Sequence, residues 1–223
     1  MNTKALVAEF VGTFTLIFIG VGAIASDVMT GHMLGLTGIA LAHGLAIAVM
    51  VSATAAVSGG HLNPAVTFGA LVAKKISVMN GIAYIVAQCL GAIVAAYVIR
   101  LAIPEQVLTA VSYGTPVVTK GVTVTQALFT EIVLTFFLVF VVFGTAIDKR
   151  APRVGGLFIG LAVAMGVMMG ASISGAAMNP ARFLGPAVAG GGFENTWLYW
   201  VGPLMGGGLA ALVYKYGLEE KVG

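Results

Sequence analysis

Two copies of one triplet, Asn63-Pro64-Ala65 and Asn179-Pro180-Ala181, carry the most chemistry in this chain. Asparagine is a strong helix N-cap, because its side-chain oxygen satisfies an orphan amide of the first turn. Proline suits the next position, where the hydrogen it lacks would have had no partner. Each triplet therefore starts a helix sharply and sets an amide NH2 beside the helix N-terminus, which carries the equivalent of about half a positive charge. Such a place welcomes a neutral hydrogen-bonding molecule and repels a cation. Upstream of the triplets lie two runs of mostly small residues, Ser58-Gly59-Gly60-His61-Leu62 and Ser174-Gly175-Ala176-Ala177-Met178. Extended backbone at Gly59, Gly60, His61 and Leu62, and at Gly175, Ala177 and Met178, can turn carbonyl acceptors toward a lumen. One Asn-Pro-Ala is weak, since Asn-Pro is common at helix starts; two in matching surroundings are specific.

Around the triplets stand a few ionisable groups. Arg182 follows Asn179 by three residues and so projects from the first turn of its helix, toward a pore wall rather than a snorkelling surface position. Glu9 and Glu131 lie in apolar stretches, which raises the idea of a proton relay. The quieter reading is that each accepts hydrogen bonds from a neighbouring backbone loop as a structural brace. His61 is expected in a vestibule, and His32 in a short loop is expected to be solvated. The three histidines are too scattered for a metal site, and the single Cys89 excludes an internal disulfide. No cofactor is implied.

The elements that must hold these residues are membrane spans. Of 223 residues, 59% are hydrophobic and 9% charged, against about 25% charged in a soluble domain. Stretches near the roughly 20 residues that cross a bilayer are read at 5–25, 35–57, 80–102, 124–147, 154–174 and 196–217. No cleavable leader is apparent, so the first span is expected to stay in the membrane. Lys4, Lys74, Lys75, Lys149, Arg150, Arg153, Lys215 and Lys221 then share one side, with only Arg100 and Lys120 on the other. The positive-inside rule puts both termini in the cytoplasm, in the plasma (inner) membrane if the source is prokaryotic. The net charge of +3 sets topology on this reading, and no basic patch suggests nucleic acid. Residues 63–73 and 179–189 are too apolar for loops and too short to cross, since such a helix is about 16 Å long. They are read as re-entrant half-helices, tolerated only where irregular backbone is buried or lines a water-filled cavity.

The halves repeat each other. Ala8-Glu9-Phe10-Val11-Gly12-Thr13-Phe14 matches Thr130-Glu131-Ile132-Val133-Leu134-Thr135-Phe136, and the two small-residue runs with their triplets match as well. An odd number of spans per half turns the second upside down. The chain is therefore read as a single channel domain, 1–223, with inverted repeats at 1–103 and 124–223 joined by an outer loop, 104–123. Paired interruptions of this kind point to a site at the membrane midplane. The fold class expected is an all-α membrane protein of six transmembrane helices and two re-entrant half-helices. Gly206-Gly207-Gly208 falls inside a span, where small residues let helices approach closely.

On these residues, with Ala87-Gln88 and Trp200-Val201-Gly202-Pro203, the whole chain resembles the aquaporin, or major intrinsic protein, family. Met178 to Arg182, Gly185-Pro186-Ala187-Val188 and Tyr199 to Pro203 are most similar to plant tonoplast intrinsic proteins. The resemblance implies a homotetramer in a lipid bilayer with one pore per subunit. It also implies a second constriction at His43, Val167, Ala176 and Arg182. Strictly water-selective members usually carry Phe and His at the first two positions. Glycerol-conducting members typically carry Asp after the arginine, where this chain has Phe183. The function expected is a passive channel for water and also ammonia or another small neutral solute, excluding protons and ions. Rival readings are a strictly water-selective channel, a secondary transporter and an adhesion role. The short loops argue against the last.

Overall fold

The computed structural model describes residues 2–151 and 154–220; Arg153 and Lys221, two of the expected one-sided cations, lie outside them. The described residues form helices and the segments that join them, with no strand among them. Helix α1 spans Thr3–Met29, α2 Gly35–Ser58, α3 Pro64–Val72, α4 Val78–Val98, α5 Glu105–Ala110, α6 Val124–Val142, α7 Gly155–Gly170, α8 Pro180–Gly190 and α9 Thr196–Gly217. Six of these are the spans, and α3 and α8 are the half-helices, so each half runs span, span, half-helix, span. Five spans are long and apolar enough to cross a bilayer. The fifth span, α7, is 16 residues, about 24 Å, shorter than the expected 154–174. It ends because residues 171–174 leave the helix to begin the second small-residue run.

Local chemistry sets the boundaries. Asn63 and Asn179 sit in extended backbone, and each side-chain oxygen accepts from the amide two residues on. Ser77 caps α4, and Thr123 with Gln126 forms a reciprocal capping box on α6. Helix α1 outruns its expected end because Asp27 in its last turn accepts from the Gly35 amide at 2.8 Å and from His32 Nδ1 at 2.9 Å. His32 is exposed, as expected, and its ring also pairs with Asp27.

Packing repeats in the two halves. Helix α1 lies on α4, α6 on α9, and α2 on α7 across the halves. At the equivalent crossings a Cβ on Gly91 would strike the Phe10 carbonyl, and one on Gly206 the Ile132 carbonyl. Gly207 and Gly208 turn instead to the Ala65 carbonyl and the Phe68 ring of α3, so the glycine run serves two neighbours at once. Outward faces carry Leu45, Val49, Phe129, Leu157, Leu161 and Met165, all largely exposed and turned away from the chain's own core.

The end of α9 is fastened to both halves. Tyr214 donates to Asp148 Oδ2 at 2.7 Å, Arg150 pairs with Asp148 at 2.6 Å, and Arg150 Nη2 donates to the Leu218 carbonyl at 3.0 Å. Lys75, just beyond α3, pairs with Glu219. Arg150 beside it holds the Asp148 carboxyl well below the usual carboxylate range, helped by the Arg150 amide and the Tyr214 hydroxyl.

Candidate functional site

The half-helix N-termini meet through their asparagines. Asn63 Nδ2 donates to the Met178 carbonyl at 2.9 Å, and Asn179 Nδ2 donates to the Leu62 carbonyl at 3.0 Å. Each Oδ1 caps its own helix, Asn63 to the Ala65 amide at 2.7 Å and Asn179 to the Ala181 amide at 3.0 Å. An amide NH2 has two donors, so one remains on each asparagine. Both residues are buried and line the same cavity. Pro64, Ala65, Pro180 and Ala181 are buried behind them in the first turns.

The backbone leading into each triplet is held in an unusual shape. Gly59, Gly60 and Leu62 have left-handed φ of 90°, 63° and 52°, and Gly175, Ala176 and Met178 have 80°, 47° and 49°. Left-handed non-glycine residues persist only where their surroundings over-determine them. The two buried glutamates do so here. Glu9 accepts the His61 amide at 2.9 Å and the Leu62 amide at 2.6 Å, with the Ser58 hydroxyl at 2.6 Å. Glu131 accepts the Ala177 amide at 2.8 Å, the Met178 amide at 2.7 Å and the Ser174 hydroxyl at 2.7 Å. Tyr84 and Tyr199 repeat the pattern, donating to the Ser58 and Ser174 carbonyls at 2.9 and 2.8 Å.

The halves then diverge. In the first, Gln88 Nε2 donates to Glu9 Oε2 at 2.7 Å and to Thr67 Oγ1 at 3.0 Å, and Thr67 lies 3.0 Å from His61 Nδ1. A carboxylate only accepts, which fixes the Gln88 amide. Thr67 thereby links the Gln88 amide to the His61 ring. In the second half Phe183 stacks on Tyr199 at 4.4 Å, and no such polar chain exists among the described residues.

His43, Val167, Ala176 and Arg182 line one cavity with the two asparagines. His43 Nδ1 is 2.9 Å from the Ile39 carbonyl, to which it donates, and the ring is seated against Gly20, where any Cβ would collide with it. Arg182 is oriented by a residue that sequence reasoning missed. Its Nη1 donates to the Gly114 carbonyl at 2.6 Å. The 104–123 segment was expected only as a connection, yet it lies across the site. A Cβ on Gly175 would stand 2.7 Å from Pro116 Cα, and the Thr119 amide donates to the Ile173 carbonyl at 3.0 Å. The turn signal Gly114-Thr115-Pro116 was the available clue.

The cavity wall also includes Leu16, Ile47, Val51, Val66, Leu138, Val142, Ile159 and Val163, apolar residues without a motif. Gly60, His61, Ala177 and Met178 line it as well, whereas Gly59, Leu62 and Gly175 do not. Leu62 is wholly buried against Gly12 and its carbonyl is taken by Asn179. Gly59 instead lines a neighbouring cavity with Lys75, Asn80 and Tyr84, which His61 and Val142 border from both sides. Gly175 is covered by Pro116. The cavity offers about 30 Å³ to water-sized molecules, a narrow passage.

The profile of the family described as Major intrinsic protein matches residues 1–214. The chain is similar to a probable aquaporin, TIP3-2, of Arabidopsis thaliana, 46% identical over 228 residues that cover 96% of this chain and 84% of that protein. It is similar to aquaporin TIP2-2 of Zea mays, 48% identical over 228 residues, covering 96% and 86%. Among solved structures it is similar to the aquaglyceroporin from Plasmodium falciparum, with a TM-score of 0.85 at 26% identity over 98% of this chain and 97% of that one.

Proposed function

This chain belongs to the major intrinsic protein family, and we propose that it is a passive channel carrying water and neutral ammonia while excluding protons and other cations. The observation that carries this reading is the convergence of two helix N-termini and two asparagine amides on one narrow cavity. Each N-terminus presents about half a positive charge, and Arg182 adds a whole one. No salt bridge among the described residues includes Arg182, so its charge acts on whatever enters. A neutral molecule that accepts from the asparagines meets donors; a hydrated proton meets a barrier.

Ammonia follows from the constriction. His43 and Val167 stand where strictly water-selective relatives carry Phe and His, Ala176 adds one methyl group, and His43 sits back against Gly20. Phe183, buried and stacked on Tyr199, stands where glycerol-conducting members typically carry Asp, so glycerol flux is expected to be small. Glu9 and Glu131 are occupied by backbone amides, which favours a passive path over a coupled transporter. By resemblance the unit is a homotetramer; the one-sided lysines and arginines put both termini in the cytoplasm, and the internal sequence match makes 1–103 and 124–223 inverted repeats.

Stopped-flow measurements on proteoliposomes test the reading. Wild type should raise water permeability well above empty vesicles and alkalinise the lumen on an inward ammonia gradient. The His43→Phe, Val167→His double variant should keep water flux and lose most of the ammonia signal. High water flux with no ammonia signal in the wild type would leave a strictly water-selective channel instead.

A further inference from the structure

We propose that Tyr113 is a positioning residue for Arg182, acting through the Gly114 carbonyl, so that the 104–123 segment sets where the guanidinium stands in the lumen. The inference rests on the reading of that cavity as the solute path. It starts from Arg182, whose side chain is buried and meets one protein acceptor among the described residues, Gly114 O at 2.6 Å. Every other donor of the guanidinium is available to the lumen, so this one bond decides how the group is aimed.

The backbone that presents the carbonyl is held under tension. Ser112, Tyr113 and Gly114 have φ of 49°, 54° and 71°, three left-handed residues in succession, of which only the last is glycine. Such a run needs external restraint, and Tyr113 supplies it. Its ring packs on Gly190, where a Cβ would lie 2.6 Å away, at the far end of the half-helix that carries Arg182. The Arg100 guanidinium carbon stands 5.7 Å from the ring centroid. The phenol hydroxyl donates to the Glu105 carboxylate, which also accepts from Arg100 Nη2 at 3.3 Å. Tyr113 is thus gripped by Arg100 just beyond α4, by α5 and by the end of α8. Gly114 next to it abuts Val21, 2.9 Å from where a Cβ would be. Without the ring the left-handed run relaxes, the carbonyl turns away, and the guanidinium swings toward lumen water and obstructs the file.

A bland alternative is that Tyr113 staples a surface loop and has no bearing on the lumen. A double-variant cycle separates the two, read as water permeability per folded, reconstituted channel. Tyr113→Ala should lower it by about threefold or more, the size expected of coupled neighbours in one network. Tyr113→Phe, which keeps the ring between Gly190 and Arg100, should change it much less. In an Arg182→Ala background Tyr113→Ala should change nothing further. An unaltered permeability in Tyr113→Ala, or the same fall with Arg182 already removed, overturns the proposal. If Tyr113→Ala does not assemble, Gly190→Ala, whose added methyl pushes the ring off its seat, is held to the same two outcomes. Wild-type protein that passes no water would sink the channel reading, a result distinct from a failure of Tyr113 alone.

Discussion

At Glu9 and Glu131 one carboxylate holds two consecutive amides of a left-handed backbone, a task a neutral amide cannot do. A glutamine at either site must aim its NH2 at a backbone N–H and leave that donor unpaired. Losing a hydrogen bond to a charged group costs about 1.5–3 kcal/mol, so Glu9→Gln and Glu131→Gln should each lower thermal stability in detergent and reduce assembled yield. The Glu9 variant should suffer more, because Gln88 and Thr67 are aligned from the same carboxylate and must turn as well. Normal stability with an altered solute ranking would mean that the glutamates serve the lumen and not the backbone.

At the scale of elements, helices approach where glycines open the way, and the ends are tied by polar clasps. The join between α6 and α7 is fastened to the end of α9 through Asp148, Arg150 and Tyr214. The carboxyl of Asp148 is depressed in the folded chain, so it contributes stability above its unfolded pKa of about 3.9. That contribution fades as pH falls through the lower folded value. Asp148→Asn should therefore melt below wild type at pH 7, with the gap closing in strong acid. A gap that stays constant from pH 7 to the acid limit would show that the carboxylate charge is not what fastens α9.

For the whole molecule, the two halves bring a half-helix N-terminus each to one point and leave the positive end of both dipoles, with Arg182, facing the path. Proteoliposomes holding a pH-sensitive dye should show rapid water flux and no channel-dependent acidification under a proton gradient. Water flux should also rise in proportion to the osmotic gradient, without the saturation of a carrier. A clear proton current would refute the electrostatic account.

The sequence by itself determined the family, the helical class, six spans and the two half-helices, because hydropathy and Asn-Pro caps are local signals that hold wherever the helices end up. It also singled out Asn63, Asn179, Glu9 and Glu131, since the repeat displays each in context, and Arg182 by its place three residues after Asn179. Only the tertiary structure decided what those side chains touch. Asn63 reaching the Met178 carbonyl, Asn179 reaching Leu62, and Arg182 reaching Gly114 are contacts between segments far apart in the chain, and no periodicity encodes them. The apolar wall of Leu16, Ile47, Val66 and Leu138 was equally illegible, because a valine or leucine facing a lumen reads like one facing lipid. The 104–123 segment looked like a linker for the same reason. A backbone carbonyl can do its work from any residue type, and folding alone decides where it points.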